Sequence, residues 1–264
     1  MTSDHEALLA DLAAVLRRAE ADRAAIAPLT SGRTLSSEDG YRIQAINTAL
    51  REAAGERIAG RKVGLTSEAM QRQLGVNEPD FGVLFDSMLL EDGAALALDE
   101  LVSPRVEAEF AFRLRTDLAG AAVTEAEVRA AVGEVLLALE IIDSRIADWK
   151  ITLPDTIADN ASSARMVAGR PLAATPELLA ALPGTEITLS ADGHATSSGL
   201  GSAVLGDPLS AVVWLVRRLA GFGVGLRAGD VVLAGAVHAS VELTPGREVA
   251  ASATGFETVR VSVR

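Results

Sequence analysis

The chain has 264 residues, of which 24 are Lys or Arg and 36 are Asp or Glu, so its formal net charge is −12. This charge disfavours a sequence-independent nucleic-acid binder and a protein that binds anionic lipid, because both partners are repelled by an acidic surface. Hydrophobic residues make up 49% of the chain but aromatic residues only 3%, so we expect a large core built from Ala, Val, Leu and Ile.

The sequence contains no cysteine, which excludes disulfide frameworks, thiolate zinc sites, iron–sulfur clusters and cysteine nucleophiles. The N-terminal stretch carries Asp4, Glu6 and Asp11, whereas a secretory signal begins with basic residues. No uninterrupted apolar run approaches the roughly 18 residues of a membrane span. We therefore expect an acidic globular protein of the cytoplasm that acts without nucleic acid and without a membrane.

The first 60 residues are predicted to form a helical region that packs on the main domain. Apolar residues recur at helical spacing over Leu8–Leu16 and predict an amphipathic helix that ends near Pro28. A second helix is predicted to begin at Ser36 or Ser37, because a hydroxyl group there can cap free backbone amides, and to end at Gly55.

After residue 60 the sequence changes to short apolar runs broken by Gly, Pro and Asp, which is typical of strands and loops. The clearest strand covers residues 105–114, where apolar residues alternate with Glu107, Glu109 and Arg113. One face of this strand is therefore expected to be apolar, and the other to carry two carboxylates.

The remaining elements alternate between helices and strands. A capping box of Thr124 and Glu127 predicts a short helix, and Asp207 followed by Pro208 predicts the start of a longer one. Further strands are predicted over residues 135–142, 186–189, 231–234, 248–253 and 258–263. We therefore predict an α+β protein with a helical region at 1–60 and a β-rich catalytic domain at 61–264.

Three carboxylates are candidates for a metal site. Glu107 and Glu109 project from the same face of a strand about 7 Å apart and can converge on one hard cation if a third oxygen donor joins them. Glu140 is the candidate third ligand, because it is a lone carboxylate in an apolar run and is costly to ionise without compensation. Oxygen ligands favour Mg²⁺ or Mn²⁺ over zinc. A Glu-x-Glu pair on a strand is, taken alone, more often a solvated face.

Three further features remain open on sequence grounds. Lys62 lies between glycines in an apolar strand, where it either binds a substrate carboxylate and passes protons or points to solvent. The polar stretch 153–163 is either a binding loop or a capped turn. His238 either lines a pocket or is a plain loop histidine.

Several motifs together resemble one family. They occur in the family's order from about residue 41 to the end of the chain. The motifs are GRKVGLTS at 60–67, LGVNEPDFG at 74–82, PRVEAE at 104–109, ALEIIDSR at 138–145, IADNAS at 157–162 and GDVVLAG at 229–235. The chain thus resembles the 2-keto-4-pentenoate hydratases and 4-oxalocrotonate decarboxylases of the fumarylacetoacetate hydrolase superfamily.

The resemblance implies a fold, a metal and a set of site residues. The implied fold is a mixed β-sheet roll of the fumarylacetoacetate hydrolase C-terminal type, with a helical N-terminal region, in a homo-oligomer that can associate with a sister hydratase or decarboxylase. The implied metal is Mg²⁺ or Mn²⁺. The implied residues are Glu107, Glu109 and Glu140 as metal ligands, Lys62 and Asp80 as catalytic groups, and Asn160, Ser162 and Ser163 as substrate-binding groups.

The resemblance also implies a lyase that acts on a small 2-oxo acid. The first expectation is hydration of 2-hydroxypenta-2,4-dienoate to 4-hydroxy-2-oxopentanoate through a metal-stabilised dienolate. The alternative is decarboxylation of 2-oxohex-3-enedioate. Asp80 and residues 148–150 look hydratase-like, whereas residues 152–155 and 235–239 look closer to the decarboxylases. Hydrolysis of acylpyruvates is disfavoured because no histidine lies where that branch needs one, and an inactive relative would be expected to have lost one of the implied residues.

Overall fold

The structure of the chain is a computed structural model that describes residues 2–67, 71, 76 and 78–264. Residues 74, 75 and 77 of the LGVNEPDFG motif lie outside the described residues. None of the described helices is both long and apolar enough to cross a membrane.

The N-terminal region consists of two helices, as predicted. They are α1 (Thr2–Asp22) and α2 (Ser37–Ala53). A reciprocal pair of hydrogen bonds fixes the start of α2, because Ser36 Oγ accepts from the Asp39 amide at 3.1 Å and Asp39 Oδ2 accepts from the Ser36 amide at 3.0 Å. The apolar stripe of α1 packs with α2 in a small core of its own.

Four further α-helices and fourteen strands are present among the described residues. The helices are α3 (Glu125–Ala131), α4 (Leu153–Ala158), α5 (Pro176–Ala181) and α6 (Pro208–Ala220). The strands are β1 (Ile58–Gly64), β2 (Asp80–Phe85), β3 (Leu89–Glu91), β4 (Ala94–Leu96), β5 (Pro104–Leu114), β6 (Val132–Asp143), β7 (Ser163–Ala168), β8 (Leu172–Ala173), β9 (Glu186–Ala191), β10 (His194–Leu200), β11 (Val231–Leu233), β12 (Val241–Glu242), β13 (Glu248–Ala253) and β14 (Val259–Val263).

The described strands form two mixed sheets. The larger sheet has the order β2-β1-β11-β5-β6-β7-β3, with β12 paired to β5 and β8 paired to β6. The smaller sheet has the order β10-β9-β13-β14-β4. The predicted α+β class with a mixed β-sheet roll is therefore confirmed.

The long antiparallel pair of β5 and β6 lies at the centre of the larger sheet. The apolar face of β5 carries Val106, Ala108, Phe110 and Phe112, all of which are buried in the main core. The opposite face of the same strand carries Glu107 and Glu109, as the alternation predicted. One face of β5 therefore packs in the core, and the other face carries the two carboxylates.

The predicted boundary between the helical region at 1–60 and the catalytic domain at 61–264 stays a prediction. The extent of β1 and two hydrogen bonds of Gln44 bear on it. The boundary falls inside β1, which begins at Ile58. The buried side chain of Gln44 on α2 donates to the carbonyl oxygens of Phe81 at 2.9 Å and Ile157 at 3.0 Å. The helical region and the sheet are thus joined through buried hydrogen bonds.

The stretch 153–163 differs from a simple loop or turn. It begins with α4, because the carboxylate of Asp155 accepts from the Thr152 amide at 2.9 Å and from the Thr152 hydroxyl at 2.6 Å. Three left-handed residues follow at Asn160, Ala161 and Ser162, with φ of 56°, 50° and 56°. The local sequence favours the helix start, whereas the left-handed turn is maintained by distant contacts described below.

Candidate active site

The register of β5 and β6 brings the three predicted carboxylates together. Glu107 lies directly opposite Glu140 in the antiparallel pair, and Glu109 follows two residues later on the same face. One carboxylate oxygen from each of the three residues lies within 4.8 Å of the others.

The cluster is withdrawn from solvent and only partly hydrogen-bonded. Glu109 is 1% exposed and Glu140 is 0% exposed. Glu109 Oε2 accepts from the Gly235 amide at 2.8 Å, whereas Glu109 Oε1 and both carboxylate oxygens of Glu140 have no hydrogen-bond donor within the described part of the chain. Burial raises the pKa of Glu107 to about 7, and burial together with the charges of Glu140 and Glu107 raises the pKa of Glu109 well above its usual range.

These residues fit a hard divalent cation. Buried carboxylates that lack donors and repel one another are costly unless a positive charge compensates them. Carboxylate oxygens are the ligands that Mg²⁺ and Mn²⁺ prefer, and the Gly235 amide holds one of the three carboxylates in a fixed orientation. Glu107, Glu109 and Glu140 would hold such a cation.

Lys62 lies beside this cluster on β1. Its Nζ atom is 3.4 Å from Glu140 Oε2 and donates to the carbonyl oxygen of Ala161 at 3.0 Å. Burial alone would lower the pKa of Lys62, but the nearby carboxylates, Glu140 first, raise it above its ordinary value. Lys62 is therefore a buried ammonium group and does not point to solvent.

Asp80 completes the polar group at the start of β2. It is 1% exposed, and burial raises its pKa despite the opposing charge of Lys62. Its Oδ2 atom accepts from the Thr156 hydroxyl at 3.5 Å, and its Oδ1 atom has no donor among the described residues. Gly64 lies opposite Asp80 in the β1–β2 pair, and a Cβ atom there would overlap Asp80 Oδ1. The glycine thus leaves room for the carboxylate.

The three predicted substrate-binding residues are placed differently from one another. Ser162 lines the pocket beside Lys62, and its Oγ atom is buried without a hydrogen-bond partner within the described chain. The Oγ atom of Ser163 is also buried without a partner, but Ser163 does not line this pocket. The structure does not bring Asn160 into the pocket either. Its side-chain amide pairs with the backbone of Val83, accepting from the amide at 2.7 Å and donating to the carbonyl at 2.9 Å.

The pocket has a volume of about 350 Å³. Lys62, Asp80 and Glu107 line one part of it, and apolar side chains line much of the rest. The sequence assigned no specific role to four of the polar or aromatic lining residues, which are Thr66, Ser67, Trp149 and Thr156. It left open whether His238 lines a pocket, and the structure shows that it does. Their motifs were visible in the sequence, but only the fold shows that they face the same space as Lys62.

A larger cavity of about 470 Å³ lies against α1 and α2 and does not contain the carboxylate cluster. Its buried arginine is already neutralised, since Arg145 Nε is 2.5 Å from Asp159 Oδ1. Arg51 is likewise paired with Glu56 at 2.7 Å. Cavity size alone therefore does not identify the reactive site.

Comparison with known proteins agrees with this geometry. Residues 52–264 match the family described as fumarylacetoacetate (FAA) hydrolase C-terminal. The chain is 45% identical over 259 residues to a 2-keto-4-pentenoate hydratase of Burkholderia vietnamiensis. The aligned region covers 96% of this chain and 97% of the relative. It is 42% identical over 219 residues to a 2-hydroxypent-2,4-dienoate hydratase of Pseudomonas putida, covering 82% of this chain and 98% of the relative.

A solved structure is similar over the full length. The 4-oxalocrotonate decarboxylase from Pseudomonas putida G7, complexed with magnesium and adipate, superposes with a TM-score of 0.93 at 31% identity. The match covers 100% of this chain and 98% of that chain. The resemblance inferred from the motifs is thus confirmed, and the chain belongs to the fumarylacetoacetate hydrolase family, on the branch of the 2-keto-4-pentenoate hydratases and 4-oxalocrotonate decarboxylases.

Proposed function

We propose that the protein is a divalent-metal-dependent lyase that hydrates 2-hydroxypenta-2,4-dienoate to 4-hydroxy-2-oxopentanoate. The observation that carries this proposal is the buried cluster of Glu107, Glu109 and Glu140 beside Lys62, at the edge of a pocket of about 350 Å³. The hydratase names of the relatives at 45% and 42% identity support the choice of reaction.

Mg²⁺ or Mn²⁺ is the proposed cofactor, with magnesium bound in the similar decarboxylase structure. When bound, such a cation would stabilise the negative charge that develops on the keto oxygen of a 2-oxo acid. The three glutamates would hold it, and the Gly235 amide would keep Glu109 in position.

Lys62 and Asp80 are the proposed proton-handling groups. Ketonisation of the substrate moves a proton from the 2-hydroxyl group to carbon 5, and hydration then adds water at carbon 4. Lys62 is held by the Ala161 carbonyl and Glu140, so its ammonium group can neutralise the substrate carboxylate or pass a proton. Asp80 is buried with a raised pKa, so it keeps its proton to a higher pH than an ordinary aspartate, which suits a group that donates a proton.

Ser162 is the proposed hydrogen-bonding residue for the substrate, because its buried hydroxyl lacks a partner at the pocket wall within the described chain. We further propose that the small-molecule 2-oxo acid is processed in the cytoplasm by a homo-oligomer, in association with a sister hydratase or decarboxylase. These points follow from the family resemblance.

Decarboxylation of 2-oxohex-3-enedioate is the second candidate, because the full-length structural match is a 4-oxalocrotonate decarboxylase complexed with a dicarboxylate. A distal carboxylate needs a cation or several donors to compensate its burial. Among the described lining residues Lys62 is the single Lys or Arg, and it lies at the carboxylate cluster. The described part of the pocket therefore favours the smaller, monocarboxylate substrate.

One experiment separates the two reactions. The enzyme with Mg²⁺ is incubated separately with 2-hydroxypenta-2,4-dienoate and 2-oxohex-3-enedioate, while absorbance loss and CO₂ release are followed. We expect water addition to the first compound, and loss of that activity after chelation of the metal and its return when Mg²⁺ is restored. Release of CO₂ from the second compound without water addition to the first would contradict the hydratase proposal.

A further inference from the structure

His238 lines the pocket but has no part in the mechanism above. It lies on the loop that follows β11, and this loop is anchored next to the carboxylate cluster. The Gly235 amide donates to Glu109 at 2.8 Å, and the Val237 amide donates to the Ala108 carbonyl at 3.5 Å. The loop that carries the imidazole is thus held by β5, the strand that carries two of the three glutamates.

The hydrogen bonding of His238 defines its tautomer. Nδ1 is 2.9 Å from the carbonyl oxygen of Ala239, which can only accept, so Nδ1 carries the hydrogen. In the neutral ring Nε2 then presents a lone pair and is an acceptor. Burial lowers the pKa of His238, although the bond to Ala239 opposes this, so burial favours the neutral ring.

Nε2 of His238 is buried and makes no hydrogen bond to the described residues. Trp149, Ile151 and Val237 line the same pocket and present mostly apolar surface. A buried acceptor in such surroundings costs stability unless a ligand supplies a donor. A hydrogen-bond donor that enters the pocket with the substrate would supply the missing partner.

We infer that Nε2 of His238 accepts a hydrogen bond from the hydroxyl group at the distal end of the reactants. Before addition this group is the water molecule that attacks carbon 4, and afterwards it is the 4-hydroxyl group of the product. The inference rests on the proposed hydration reaction. A reactant that carries a hydrogen-bond donor at carbon 4 gains this bond and one without a donor does not, which makes His238 a specificity-determining residue.

Three substitutions test the atom rather than the residue. In His238→Gln the amide oxygen of the new side chain can reach the position of Nε2. In His238→Asn the shorter side chain places its amide oxygen only at the position of Nδ1. His238→Phe keeps a ring of similar shape but has no acceptor. We expect kcat/KM for hydration to fall by about threefold or less in His238→Gln and by about tenfold or more in the other two variants. His194→Gln, an exposed histidine at the start of β10, is the matched control and is expected to match the wild type.

Binding of oxalate provides a second measurement, because oxalate has the chelating end of a 2-oxo acid and no distal end. Stabilisation by Mg²⁺ and oxalate in thermal denaturation is expected to be the same in all variants. Wild-type hydration rates in His238→Phe would overturn the inference, and so would a loss of oxalate binding that parallels the loss of hydration, since that would show a structural role. A wild-type protein that does not hydrate the substrate would contradict the proposed function itself.

Discussion

Glu140 is the most deeply buried of the three candidate metal ligands. It is fully buried and has no hydrogen-bond donor within the described chain, and its nearest cationic group is Lys62 at 3.4 Å from Oε2. A glutamine in its place keeps the shape but removes the charge that a cation needs. We expect Glu140→Gln to lower activity by about 100-fold or more and to reduce stabilisation by Mg²⁺, since a ligand is lost.

The metal-free form of Glu140→Gln is expected to be close to the wild type in stability, because loss of the ion pair with Lys62 is offset by relief of the repulsion from Glu107 and Glu109. Elemental analysis for Mg²⁺ and urea unfolding measure the two effects. Glu134→Gln on the same strand is the control, since Glu134 is half-exposed and paired with Arg113. Unchanged metal content in Glu140→Gln would contradict its assignment as a ligand.

Lys62 is expected to act in turnover more than in metal binding. Lys62→Met keeps the length and apolar stem of the side chain but removes the ammonium group that Ala161 and Glu140 hold. We expect a loss of about 100-fold or more in kcat, with metal content retained, because proton transfer by a positioned group contributes on this scale. Steady-state kinetics and elemental analysis check this, and full turnover with unchanged metal content would show that Lys62 is not catalytic.

At the scale of single residues, the sequence was most informative where strand alternation determines direction. The faces of Glu107 and Glu109 follow from a period of two, and an isolated glutamate in an apolar run marked Glu140. The role of Asn160 could not be predicted, because its backbone partner Val83 lies 77 residues earlier in the chain. The motif resemblance suggested a substrate contact, but the amide is used to bind the backbone.

The left-handed turn between α4 and β7 forms part of the pocket wall. Three consecutive residues with positive φ are costly unless their surroundings hold them. Asn160 makes two hydrogen bonds to Val83, and Arg145 makes three to Asp159, two of them to its carboxylate. The turn in return presents the Ala161 carbonyl to Lys62.

We expect Asn160→Ala to lower the free energy of unfolding by about 1–3 kcal/mol, because it leaves two backbone groups of Val83 without partners. Turnover is expected to fall as well, since the acceptor for Lys62 shifts. Urea unfolding and kinetics at saturating Mg²⁺ measure these effects. Asn47→Ala is the control, because Asn47 accepts a bond from Arg17 on the helical region rather than from the sheet. Equal stability of Asn160→Ala and wild type would contradict the role of this amide.

At the scale of elements, predictions succeeded where caps and periodicity are local. The capping box at Thr124 and the start of α6 at Asp207 lie where the sequence placed them. The predicted bounds of β6 were less accurate, since the strand begins at Val132, directly after α3. The apolar residues at this junction fit a helix or a strand equally well. The turn at 160–162 had no local indication, since its stabilising contacts come from other parts of the chain.

The buried carboxylates of Glu109 and Glu140 and the half-buried carboxylate of Glu107 make the stability of the whole molecule depend on pH. In the metal-free protein the pKa of Glu107 is raised to about 7 from an ordinary value of 4.5, so the folded chain binds more protons than the unfolded chain between these values. This contribution to stability is fully present below about pH 4.5 and is lost as the pH rises through about 7. A cation competes with these protons and binds best to the ionised cluster.

We therefore expect two opposite trends between about pH 5 and about pH 8. The stability of metal-free wild type relative to metal-free Glu107→Gln should decrease as the pH rises, and the stabilisation of wild type by Mg²⁺ should increase. Thermal denaturation with a chelator and with Mg²⁺ measures both, and the comparison with Glu107→Gln removes the contribution of other titrating groups. A wild-type advantage that grows with pH in the chelator would contradict the raised pKa.

The topology of the larger sheet also governs when the site can form during synthesis. Lys62 and Ala161 are separated by 99 residues, and Glu109 and Gly235 by 126. β11 inserts between β1 and β5, so those two strands stay unpaired on that side until the last part of the chain has been made. Folding is therefore dominated by non-local contacts and is expected to be slow. A nascent chain that stalls before residue 231 would expose two strand edges and is expected to aggregate rather than fold.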